Sequence, residues 1–137
     1  MQIIDAATAR NMLDQIDFGT SGKLQVKDGS TLIAEINMAN PATGAASGAA
    51  GPGTRTKAFL GEPLTSAAAA NASADNATPL TVDALNGSTV ITTFTCTING
   101  GGGEFQITAP AHSGNATKPN ITAGQTVTLQ EGAAMTL

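Results

Sequence analysis

The sequence predicts a mainly β fold: one antiparallel β-sandwich of seven to eight short strands, jelly-roll or Ig-like, with one short N-terminal helix. Two observations carry this. Apolar residues alternate with polar ones in LIAEINM, TVITTFTCTI and TVTLQ, the two-residue period of strands with one buried face. Turn residues such as Asp28-Gly29, Asn86-Gly87 and Gly124-Gln125 punctuate these runs at the spacing of an all-β domain. A chain of 137 residues is one domain's worth, so residues 1–137 are read as a single unit.

Taken in order, Met1–Ile4 reads either as a short extended arm or as a fraying end. Residues 5–17 carry the helix signal: Asp5 as N-cap, then Ala9, Met12, Leu13 and Ile16 as a stripe at helical spacing. Asp14 and Asp17 lie in its last turn, where the helix dipole disfavours anions, so such a helix depends on docking its stripe. Lys23–Lys27 and Thr31–Met38 form a hairpin about Asp28-Gly29, with Leu32, Ala34, Ile36 and Met38 on one side. Thr31, Glu35 and Asn37 fall on the other. Residues 39–53 are Gly, Ala, Pro, Ser and Thr without periodicity, a long loop of the functional or disordered kind.

Thr54–Leu60 is a strand with Arg55, Lys57 and Phe59 on one side, closed by Pro63. Residues 66–78 read as a loop with one strand-like segment in preference to a short helix, because no large apolar residue anchors the four alanines. Leu80–Leu85 and Thr89–Ile98 repeat the hairpin pattern, with Val90, Thr92, Phe94, Cys96 and Ile98 on one face. Gly100–Gly103 make a flexible tip before the strand Glu104–Ala109. Residues 110–119 read as a polar loop; Ile121–Ala123, Thr126–Gln130 and Ala134–Leu137 complete the strands.

Several classes of chemistry lack their residues. Six Lys and Arg are scattered in a chain of net charge −4 without Trp or Tyr, which argues against a nucleic-acid interface. No apolar window approaches a membrane span, and no secretory leader is visible, which places synthesis in a cytoplasm. Cys96 alone builds neither a disulfide nor a zinc site and reads as a small buried hydrophobe. His112 reads as a solvated loop residue, since no serine lies in a nucleophile elbow. The glycine run lacks the Lys-Ser/Thr of a phosphate-binding loop. No catalytic residue, cofactor site or metal site is expected, and the chain is read as a non-enzyme.

One resemblance adds to this reading. A short N-terminal helix, GKLQVKDGSTLIAEI, NPATGAAS, SADNAT, the Asn86-Gly87 turn and ITAGQTVTL follow one another in an order that resembles a family of small tailed-bacteriophage virion structural proteins. The likeness covers roughly residues 8–130. The chain departs from it at Thr43, where a phenylalanine is usual, and in the non-aromatic strand Leu80–Leu85. The resemblance implies a minor capsid or head decoration protein on the virion surface, synthesised in the bacterial host. Its partners would be the major capsid protein and itself, as a homo-oligomer and by preference a trimer, with no nucleic acid or membrane. It implies an interface that includes Asn40, Pro41 and Gly44, with Arg55 and Lys57 as the basic pair. The competing readings are a tail, baseplate or head-tail connector component and, more distantly, a carbohydrate- or receptor-binding sandwich. The lack of Trp and Tyr weighs against sugar stacking.

Overall fold

The computed structural model describes residues 16–38, 43, 56–57, 67–75, 80–98, 101–131 and 135–136. These are mainly β, and none is helical. The strands are β1 (Gly22–Asp28), β2 (Thr31–Asn37), β3 (Thr56–Lys57), β4 (Ala67–Ala69), β5 (Ala74–Asp75) and β6 (Leu80–Asn86). They continue as β7 (Thr89–Ile98), β8 (Phe105–Thr108), β9 (Ala111–His112), β10 (Asn115–Ile121), β11 (Thr126–Glu131) and β12 (Met135–Thr136). Seven of them make one sheet in the order β2-β1-β6-β7-β8-β11-β4, curled until it is nearly closed into a barrel. Strands β5, β10 and β9 form a smaller sheet, and β12 pairs with β3. Of the expected helix over 5–17, residues 5–15 lie outside the described set, and Ile16 and Asp17 are not helical. Residues 1–4 and most of 39–66 also lie outside it.

Two hairpins dominate the sheet. In each, a two-residue Gly-Ser loop links the strands: Asp28 faces Thr31 across Gly29-Ser30, and Asn86 faces Thr89 across Gly87-Ser88. Both glycines hold φ at 60°, the left-handed conformation that a right-twisted two-residue hairpin needs at its first loop position. Each hairpin then carries one β-bulge. Val26 faces Ala34 while Lys27 faces Leu32, which leaves Ile33 unmatched; Ala84 faces Thr92 while Leu85 faces Val90, which leaves Ile91 unmatched.

Turn, bulge and strand therefore recur at a constant separation, with Gly29, Ser30, Thr31 and Ile33 answered by Gly87, Ser88, Thr89 and Ile91. The two hairpins join antiparallel through β1 and β6, and the register sets Gln25 opposite its own counterpart Asp83. A pseudo-two-fold axis thus passes between those two residues.

The bulges correct the simple alternation. An extra residue moves everything beyond it to the other face. Ile33 consequently enters the core in place of Leu32, which is only half-buried, and Val90 lies outside the core although it shares its sequence phase with Phe94. Past the bulges the pattern holds: Leu24, Val26, Ala34, Ile36, Val82, Ala84, Phe94, Cys96 and Ile98 all face the interior. Phe105, the largest fully buried side chain among the described residues, meets Phe94 edge to face with ring centroids 5.0 Å apart.

The four alanines at 67–70 serve closure. β4 pairs with β11, and Ala70 accepts the Gly124 N–H (2.7 Å) while donating its own to the Gln125 carbonyl (2.8 Å). One residue on, the Asn71 N–H donates to the Ile33 carbonyl at 2.7 Å, which ties the last strand's end to the first strand of the sheet. Small side chains let these backbones approach, and Ala70 and Ala74 are themselves buried. Of the expected loop 66–78, residues 67–75 are described and hold two short strands, β4 and β5, where one strand-like segment was expected, and no helix.

Two expectations change. The polar loop 110–119 is instead a short hairpin: His112 faces Asn115 across Ser113-Gly114, with Gly114 at φ 84°. Pro119 is accommodated there because the register breaks between Asn115 and Pro119, as at the irregular positions where a strand tolerates proline.

The second change concerns Gly100–Gly103. Among the described residues every strand pair is antiparallel except β7 with β8, which run parallel with Cys96 opposite Phe105 and Ile98 opposite Ile107. Parallel neighbours usually need a crossover of about a dozen residues or more. Here β8 begins beside the end of β7, so the chain steps back only a few residues and the connection is short. The turn packs hard against Thr97, whose hydroxyl accepts the Gly103 N–H at 2.9 Å. A Cβ at Gly101 would lie 2.8 Å from the Thr97 Cβ, and one at Gly103 would lie 2.8 Å from the Thr97 backbone nitrogen. Gly101 and Gly103 are required by close approach, and Gly102 by its positive φ of 82°. Gly103→Ala is expected to lower stability by about 1–3 kcal/mol, the range for overpacking a filled site. Gly102→Ala, at φ 82° with open space around it, should cost less. Urea midpoints for the two variants measure the difference.

Candidate functional site

The outward face of β2-β1-β6-β7 carries four charged residues, Lys23, Lys27, Glu35 and Asp83. Alternation that sends Leu24, Val26, Val82 and Phe94 inward sends Lys23, Gln25, Lys27, Glu35, Asp83 and Thr93 outward. Register then aligns Glu35, Gln25, Asp83 and Thr93 in one row across four strands. Gln25 Nε2 donates to Glu35 Oε2 at 2.7 Å, and Lys23 Nζ lies 3.5 Å from the same oxygen. Lys27 Nζ lies 2.8 Å from Asp83 Oδ2, and Thr93 Oγ1 donates to Asp83 Oδ1 at 2.6 Å.

Asp83 is the one buried charged residue among those described, at 9% exposure. Burial pushes its carboxyl upward, but the hydrogen bonds from Lys27 and Thr93 and the Lys27 charge outweigh this and hold it below the usual carboxylate range. With both oxygens engaged, Asp83 is a strut between strands and not a free base.

The hairpin tip beside this row is apolar. Val90 and Ile91 are the large hydrophobics most exposed among the described residues, at 47% and 38%. Leu85, facing Val90, is buried without belonging to the core cluster. At the other end of β7, Glu104 closes the strand's flank. Its carboxylate accepts from the Thr95 N–H and hydroxyl, both at 3.2 Å, and its own N–H donates to Thr95 Oγ1 at 2.9 Å.

Of the residues singled out from sequence, Asn40, Pro41, Gly44 and Arg55 lie outside the described set. Lys57 lies in β3 opposite Met135. His112 takes a place in β9 instead of a loop. Cys96 is buried as expected, and burial pushes its thiol up to about 12, so the nucleophilic thiolate is not formed at neutral pH. Sequence reasoning missed Asp83 and the Val90–Ile91 step. The signal for Asp83 was a lone acid between Val82 and Ala84; the signal for the step was the shared G-S-T-x-I pattern that places a bulge in both hairpins.

Among the described residues no group of three His, Cys, Asp or Glu side chains could hold a metal ion, and no helix is long and apolar enough to cross a membrane. The arrangement is a polar sheet face whose charges are paired with one another, with Val90 and Ile91 exposed at the neighbouring hairpin. No known protein family, curated protein or solved structure matches the chain.

Because the carboxyl of Asp83 is held low, its contribution to stability is present above the ordinary carboxylate range and is lost as pH falls through its lowered value. Lys27→Met is expected to cost about 1–2 kcal/mol at pH 7. Denaturant titrations of both proteins between pH 7 and pH 2 should show the gap closing only at the acid end.

Proposed function

We propose that this chain is a non-enzymatic virion structural protein that attaches to the outside of a phage head shell and stabilises it. The observation that carries the reading is the outward face of β2-β1-β6-β7, where Lys23, Lys27, Glu35 and Asp83 are paired with one another and surrounded by threonine. Such a face binds by shape and shallow contact over an area, and it supplies no reacting group. The resemblance of GKLQVKDGSTLIAEI, NPATGAAS and ITAGQTVTL to phage virion proteins points the same way. That reading includes the expected N-terminal helix, ending before Ile16, and a sandwich of the jelly-roll or Ig-like kind. It also includes multivalent attachment to the major capsid protein as a homo-oligomer, so that individually weak contacts add through avidity. Asn40, Pro41, Gly44, Arg55 and Lys57 belong to the proposed contact region.

Fluorescently labelled protein mixed with particles lacking it is expected to sediment with heads. Sedimentation with tails alone would replace this reading with a tail, baseplate or connector component. Deleting residues 44–53 is expected to reduce head binding at least tenfold while the far-ultraviolet circular dichroism of the isolated protein is unchanged. A deletion variant without β signal would assign that segment to the folded core instead.

A further inference from the structure

We propose that the open flank of β7, from Thr89 to Thr93, pairs antiparallel with the same flank of a second copy, giving a two-fold dimer joined sheet edge to sheet edge. The argument does not use the function proposed above. It begins with the pseudo-two-fold relation between the hairpins. The flank of β2 away from β1 is occupied at its bulge, where the Ile33 carbonyl accepts the Asn71 N–H. The counterpart of Ile33 is Ile91, on the flank of β7 away from β6. There β8 runs beside β7 only from Cys96 to Ile98, and Glu104 takes the Thr95 amide. Among the described residues no strand is hydrogen-bonded to β7 from Thr89 to Thr93 on that side. Among the described residues a backbone edge of five residues is therefore left where the equivalent edge is tied down.

The side chains on that edge favour association. Thr89, Val90, Ile91, Thr92 and Thr93 are all β-branched and none is a lysine or proline; the bulge at Ile91 is the one blunting feature of this edge. Charge selects a second copy as the occupant. No charged residue occurs between Asp83 and Glu104, so two such edges meet without like-charge contact although each chain carries −4. A basic partner would find no carboxylate on this edge to recognise. Antiparallel pairing about a two-fold axis near Ile91 sets the exposed Val90–Ile91 steps of the two copies beside each other. The axis closes the assembly at two copies, so an uncharged edge of this kind does not propagate into a fibre.

Sedimentation equilibrium of the full chain tests this. The mass is expected to rise with concentration from 13.5 kDa towards twice that value. Ile91→Lys and, separately, Val90→Lys are expected to weaken association at least tenfold, with melting midpoints measured at the dilute, monomeric limit unchanged. Both positions are exposed, and if one variant fails to fold the other decides. Hydrogen exchange at the Thr93 amide is expected to slow at high concentration in the parent and not in the lysine variants. A parent chain that remains monomeric at a concentration on the order of 1 mM would overturn the proposal. So would a dimer or trimer whose mass neither substitution alters.

Discussion

The curl of the seven-stranded sheet is the constraint on which the rest depends. A strongly twisted sheet of this width exposes two edges, and here the first and last strands are brought together at Ile33 and Asn71. That closure needs two things at once. The bulge at Ile33 must bend β2 inward, and the strand it meets must be small enough to let the backbones touch, which Ala67–Ala70 supply. The cost is a core with little aromatic bulk, four phenylalanines in the whole chain, so that Phe18, Phe94 and Phe105 carry much of its volume. Truncating Phe105 would remove the ring on which Phe94 packs, and large-to-small changes of that kind cost about 3–5 kcal/mol.

The same economy governs the step from β7 to β8. A parallel neighbour reached without a crossover helix forces the chain to double back within a few residues, and the turn survives only because Gly101 and Gly103 leave room for Thr97. Thr97 and Thr95 supply the hydroxyls that accept the turn's N–H groups. Thr95 and Thr97 thus serve as acceptors for backbone N–H groups, which reduces the number of polar groups left without a partner near the core.

How much of this was legible in the sequence can be followed residue by residue. The mainly β character, the two hairpins and the buried state of Cys96 were readable because they depend on local alternation and on Gly at a fixed place in the turn. The exchange of Leu32 for Ile33 was not, because a bulge leaves the composition unchanged and reverses the phase beyond it. The near-barrel closure was equally hidden: it rests on Asn71 meeting Ile33, a contact between segments whose separation carries no periodic signal. His112 and Pro119 were misplaced for a third reason. A proline and a run of polar residues lower strand propensity, but pairing with β5 and an irregular register restored it. For the candidate site, the strand Lys23–Lys27 was readable from sequence, while the partnership of Lys27 with Asp83 depended on a pairing register that only the folded sheet supplies.

The burial of Cys96 has a consequence for the chemical surroundings in which the protein can persist. It is the chain's only cysteine, 3% exposed, and its thiol stays protonated at neutral pH. With no disulfide to form on leaving a reducing compartment and none to lose on entering one, the covalent structure is the same on either side of a cell boundary. The fold is therefore redox-neutral: its stability comes from strand pairing and a sealed interior, and the surrounding thiol potential has no covalent bond on which to act.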